Sequence, residues 1–212
     1  MMLFLILLIP VGLATIMVNY CRQNGAMSLP LLPFFLGILL FLPSFILNSL
    51  VQGLFEPSYT SAGFFFYTFF RGHCIMLVFC FGWMLLLRNM LIFRPRENIL
   101  YGILGFMGGY YSLVNVDAYL SHITHLDAYT LFLLPLLNLA LVVIGALLLT
   151  QVIRGFGVER LLSLGGLAAL PFAVTVVTVF FLRNRPVPAV IGTAVIVFLA
   201  GVLFFVRKDA TA

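Results

Sequence analysis

Apolar residues arrive in long unbroken runs, and basic residues fall almost entirely where a run ends. The runs cover residues 2–19, 29–53, 66–88, 98–120, 128–152, 160–182 and 187–206. Each is close to the ~20 residues that a helix needs to cross about 30 Å of hydrocarbon. A transmembrane barrel strand would alternate in character over about 10 residues, whereas these runs are continuous and about twice as long. Where water cannot satisfy backbone N–H and C=O groups, the chain must satisfy them internally, as a helix does. The pattern therefore predicts an all-α, polytopic integral membrane bundle of about seven transmembrane helices, a single domain over residues 1–212.

The gaps carry turn formers: Asn24-Gly25, Glu56-Pro57-Ser58, Arg94-Pro95-Arg96, Gly155-Phe156-Gly157 and Arg185-Pro186-Val187-Pro188. None is long enough to fold separately. The first run lacks a basic leader and a small-residue cleavage site, and so reads as a retained helix. The third run is the tightest fit. Its 16 residues between Arg71 and Arg88 reach about 24 Å at 1.5 Å per residue, which places one of the two arginines at or just inside a boundary.

Composition narrows the class further. The chain is 64% hydrophobic and 8% charged, against about 45–50% and about 25% in soluble domains, so polar residues are too few to cover a water-exposed surface. The net charge of +5 would suggest nucleic acid in a soluble protein; here the positives are expected to orient helices, and no nucleic-acid partner is expected. Cys74 and Cys80 share one run at a six-residue separation that points them to nearly opposite sides of a helix. With Cys21 they are expected to be free thiols.

Cytoplasmic loops are enriched in Lys and Arg. With seven helices, Arg22, Arg88, Arg94, Arg96, Arg154, Arg160, Arg207 and Lys208 share one side, and Arg71, Arg183 and Arg185 share the other. This predicts an external N-terminus and a cytoplasmic C-terminus, with Arg183 and Arg185 running against the rule. Trp83, just short of Arg88, fits an aromatic at headgroup level. With no organelle address in the sequence, the bacterial cytoplasmic (inner) membrane is the expected location.

Polar residues within the runs gather toward the external side. Pro43, Pro135 and Pro171 each remove a backbone donor inside a run and can bend it. Ser44 and Asn48 follow Pro43, and Gln52 and Glu56 leave the same helix. In the fourth run Ser112, Asn115, Tyr119 and His122 form one stripe at helical spacing, which prolongs a small-residue stripe of Gly102, Gly105 and Gly109. Gly165 and Ala169 offer a similar small-residue face in the sixth run. Polar side chains aimed at lipid are costly, so this polar face is expected to point into the bundle. Asn48, Gln52, Tyr111, Ser112, Asn115 and Tyr119 are then the candidate ligand-binding residues.

Arg71 and Asp117 both fall near the external boundary on consecutive antiparallel helices and are expected to pair. Alternatively, the planar fork of Arg71 holds an anionic group such as a lipid phosphate. His122, His125 and Asp127 form an H-x-x-H-x-D string, a weak ligand set for a transition metal. Together with His73 and Asp117, the two histidines are also the candidates for acid–base catalysis. No H-E-x-x-H, G-x-S-x-G or P-loop pattern occurs, and no lysine lies within a span. No cofactor is expected. The sequence points first to a small membrane subunit that binds partner membrane proteins or a lipid-linked ligand. A second reading is an outer-leaflet hydrolase or transferase acting on membrane lipid or a lipidated substrate, with Arg71 holding the anion and the histidines moving protons or holding a metal. A third is a small transporter.

Overall fold

The computed structural model describes Gly12 and residues 31–52, 60–87, 99–121 and 129–208. Of Leu31, Val51, Gln52, Ser61, Arg71, Ser121, Tyr129, Thr130 and residues 205–208 it describes the backbone alone. The regular structure in these residues is helical: α1 (Leu31–Gln52), α2 (Ser61–Thr68), a π-helical turn (Phe69–Cys74), α3 (Ile75–Leu87), α4 (Ile99–Ser121), a second π-helical turn (Tyr129–Leu133), α5 (Leu134–Arg154), α6 (Val158–Leu182) and α7 (Pro186–Lys208). Among the described residues, six helical stretches are long and apolar enough to cross a membrane: Leu32–Leu50, Ala62–Leu87, Ile99–Leu120, Leu131–Arg154, Val158–Leu182 and Pro186–Phe204. They match the second to seventh apolar runs to within four residues at either end. The first run, 2–19, lies outside the described residues apart from Gly12.

The ends of the helices have local causes. Thr60 caps α2, its hydroxyl accepting from the Gly63 N–H at 3.1 Å, a standard way to satisfy an orphan donor of the first turn. The helix therefore starts ahead of residue 66, where the unbroken apolar run begins, and the 8 residues of α2 precede the π-helical turn that holds Arg71. Pro43 and Pro171 lie inside α1 and α6. Pro135 stands at the start of α5, directly after the second π-helical turn, so its missing N–H falls where the hydrogen-bond ladder passes from π to α spacing. At the end of α6 the Asn184 N–H bonds Phe181 O at 2.9 Å and the Arg185 N–H bonds Phe180 O at 3.0 Å, with Asn184 at φ 54°. That is a Schellman stop with asparagine in the left-handed position, and Pro186 then opens α7.

Several helices turn large apolar side chains outward. On α1, Gly37, Phe41, Ser44 and Asn48 recur at helical spacing and are buried, whereas Phe35, Leu39, Leu42, Ile46 and Leu50 recur on the opposite side and are exposed. An apolar stripe outside with hydroxyl and amide groups inside suits a hydrocarbon surround. α6 and α7 likewise expose Leu161, Leu162, Phe172, Ile191 and Phe198.

α4 is the central helix, with 72% of its most apolar stretch buried. It packs most extensively against α1, where two glycines permit backbone contact: a Cβ on Gly37 would collide with the Phe106 carbonyl, and one on Gly109 with the Phe34 carbonyl. Close approach of this kind is how membrane helices associate without side-chain burial. On its other side α4 meets α5, with Met107 against Gly145 and Asn115 against Asn138; the reversed order of the pairs makes the two helices antiparallel. Gly166 against Leu148 and Ser163 against Gln151 make α5 and α6 antiparallel in the same way. Gly165 meets open space and Ala169 is exposed, so this small-residue face packs on nothing among the described residues. Cys74 and Cys80 are free thiols; Cys21 lies outside the described residues.

Candidate functional site

Interhelical hydrogen bonds mark where the bundle is held by polar groups. Trp83 on α3 donates its indole N–H to Ser44 of α1 at 2.8 Å, Asn138 of α5 donates to Asn115 of α4 at 2.5 Å, and Ser163 of α6 donates to Gln151 of α5 at 2.7 Å. His73, in the first π-helical turn, meets Thr178 of α6 at 3.0 Å. Because the Thr178 hydroxyl donates to Val174 O, its oxygen is left to accept, and the proton between the two residues belongs to His73 Nε2. The extra residue of a π turn rotates the rest of the helix by about 100°. Here that turn faces α6, with Phe69 against Phe172 at 6.3 Å one helical turn before His73.

Buried hydroxyls are mostly spent on their own helices. Ser44 donates to Leu40 O at 2.8 Å, Ser112 to Gly108 O at 2.6 Å and Thr175 to Pro171 O at 2.7 Å, a satisfaction open to Ser and Thr inside a helix. Among the described residues, three buried side-chain atoms have no partner: Asn48 Oδ1 on α1, and Tyr111 Oη and Asn115 Nδ2 on α4. These residues are only 5%, 2% and 4% exposed, so nine-tenths or more of each is withdrawn from the surround. A buried unsatisfied group costs about 1–3 kcal/mol. The three orphans comprise an acceptor, a hydroxyl that can do either, and a donor. All lie in the C-terminal halves of the two helices that pack most closely.

The sequence-derived candidates divide accordingly. Asn48, Tyr111, Ser112 and Asn115 are buried, and Tyr119 is half-buried farther along α4. Asp117 is also half-buried on α4. The side chains of Gln52 and Arg71 lie outside what the structure describes, and with them the expected Arg71–Asp117 pair. His122, His125 and Asp127 lie outside the described residues altogether. Among the described residues no three His, Cys, Asp or Glu side chains gather as a metal site would require. His73 is engaged with α6, while the three orphans sit on α1 and α4.

Two partners escaped the sequence reading. Asn138 is the lone amide early in an otherwise apolar run, a signal in itself given the cost of a polar group in hydrocarbon. Thr178 carries no such signal, since threonine satisfies itself within a helix. Compared with protein families, curated proteins and solved structures, the chain matches no family model, no curated relative and no solved structure at a significant level.

Proposed function

We propose that the chain is a seven-helix integral protein of the bacterial cytoplasmic membrane that acts as a binding subunit. It holds a neutral, hydroxyl- or amide-bearing portion of a lipid-linked ligand between α1 and α4. Embedding is supported by the six apolar stretches and their outward apolar faces, with residues 2–19 supplying the seventh span. Arg88, Arg94, Arg96, Arg154 and Arg160 on one side support a cytoplasmic C-terminus and an external N-terminus. The variant His125→Cys tests this: a membrane-impermeant maleimide added to intact cells should label it, and labelling only after lysis would reverse the orientation.

The observation that carries the binding reading is the set of three orphan atoms, Asn48 Oδ1, Tyr111 Oη and Asn115 Nδ2. Buried polar atoms left without partners call for an explanation, and a bound polar group supplies partners for all three. Every buried polar side chain among the described residues is an uncharged hydroxyl or amide, His73 apart, which matches a neutral group better than an anion. The hydrolase or transferase reading draws no such support: of its three histidines the structure describes His73 alone, whose Nε2 bonds Thr178.

Native mass spectrometry of protein purified in mild detergent tests the proposal. The wild type should retain an amphiphile that Asn48→Leu, Tyr111→Phe and Asn115→Leu each lose while remaining folded. Retention in all three variants would overturn it. A fixed co-purifying membrane protein with no bound amphiphile would move the reading to a partner-binding subunit.

A further inference from the structure

At the turn between α6 and α7 the surface opens into a groove of about 590 Å³ lined by Phe65, Val176, Val179, Phe180, Arg183, Asn184 and Arg185. Its wall has two characters. Val176, Val179, Phe180 and Phe65 make one side apolar, and three consecutive polar residues make the other. The lining includes no carboxylate.

The polar side is held in place by the turn itself. The N–H groups of Arg183, Asn184 and Arg185 are bonded to Val179, Phe181 and Phe180 carbonyls at 3.1, 2.9 and 3.0 Å. These N–H groups are thereby satisfied, and Arg183, Asn184 and Arg185 all line the groove. Arg183 is further fixed by lying over the Phe64 ring at 5.8 Å, within the range of a cation–π contact. Both arginines are exposed, so neither requires an internal counter-ion.

Arg183 and Arg185 also stand out in the charge pattern, since the seven-span reading puts them on the side with few basic residues. Orientation therefore gives no reason for them. A guanidinium pair beside an apolar trough, at the end of membrane-length helices, matches a phosphate headgroup joined to an acyl chain. We propose that this groove binds one anionic phospholipid, its phosphate between Arg183 and Arg185 and its chain along Val176, Val179 and Phe65. The site rests on the reading of the chain as membrane-embedded but not on the orphan atoms between α1 and α4, so the two proposals fail separately.

The whole protein is placed in nanodiscs of phosphatidylcholine containing a minor fraction of phosphatidylglycerol, and the lipids retained on ejection are counted by native mass spectrometry. The wild type should enrich one phosphatidylglycerol. Arg185→Gln, which disturbs neither the Phe64 contact nor the backbone turn, should weaken that preference about fivefold, and Arg183→Gln/Arg185→Gln by the product of two such steps, taking the usual contribution of a basic residue near an anionic surface. Arg154→Gln/Arg160→Gln, which removes one arginine from the end of α5 and one from the start of α6, away from the groove, should leave it unchanged. The proposal is overturned if Arg185→Gln keeps the full preference, if the Arg154/Arg160 variant loses as much, or if inorganic phosphate at millimolar concentration displaces the lipid, which would make the site one for a free anion.

Discussion

Asn138 donates its side-chain amide to Asn115 Oδ1 at 2.5 Å, and this one bond joins the central helix to α5 while leaving Asn115 Nδ2 without a partner. The same residue thus fastens the bundle with one atom and offers a buried donor with the other. The two roles separate by mutation.

Asn138→Ala strips Asn115 of its remaining partner and should destabilise the protein by about 1–3 kcal/mol, the cost of a buried group left unsatisfied. Asn115→Ala/Asn138→Ala removes both polar partners without overfilling the contact and should cost less than the sum of the two single changes, since interhelical hydrogen bonds in membrane proteins average only about 0.6 kcal/mol of coupling. Reversible unfolding in detergent measures both. Losses that simply add, with Asn115→Ala measured beside them, would mean that the two amides are not coupled to each other.

The α1–α4 contact makes a sharper demand. Gly37→Ala and Gly109→Ala each drive a methyl into a backbone carbonyl of the facing helix, Phe106 and Phe34 respectively. Backbone cannot yield as a side chain does, so each should cost at least the ~1–3 kcal/mol typical of overpacking. Gly165→Ala, where nothing lies nearby, should stay within about 0.5 kcal/mol of wild type. Thermal unfolding of the three variants side by side checks the ordering, and equal losses would remove the close helix crossing.

These glycines show what the sequence does and does not disclose. Gly109 belongs to a legible stripe, yet its partner Gly37 stands alone in α1 with no spacing to announce it. The equally legible Gly165 and Ala169 face packs on nothing among the described residues. Spacing reports that a helix can be approached closely; only the fold says by what. The spans themselves were legible because continuous apolar character over about 20 residues has one common cause. The start of α2 was less so, because the Thr60 cap is local chemistry set ahead of the unbroken apolar run. For the site, Asn115 was readable on the polar stripe of α4, whereas its distinguishing property, one amide atom bonded and one not, depends on where Asn138 arrives from a helix later in the chain.

Trp83 is the single tryptophan of the chain, and its indole N–H donates to the fully buried Ser44 hydroxyl. Ser44→Ala should orphan that N–H, cost about 1–3 kcal/mol, and shift the intrinsic fluorescence toward the blue as the hydrogen bond to the indole is lost. Ser44→Thr, which restores a hydroxyl, should return the emission toward wild type. An unchanged spectrum in Ser44→Ala would show that the indole is not bonded there.

Tyr111→Phe gives the most discriminating stability measurement, because it deletes an oxygen that has no partner from a ring that is 2% exposed and stays packed. In protein stripped of amphiphile the deletion relieves a desolvation penalty and should raise stability by about 1 kcal/mol. In protein purified with its ligand in place the hydroxyl is satisfied, and the same deletion should lower stability instead. Tyr110→Phe is the control: that hydroxyl donates to Met76 Sδ at 3.8 Å, so its loss should not stabilise either preparation. A change of sign between the two preparations of Tyr111→Phe is the signature of an occupied site between α1 and α4. A loss of stability in both would mean that the hydroxyl is satisfied by the protein itself, and the binding reading would lose one of its three supports.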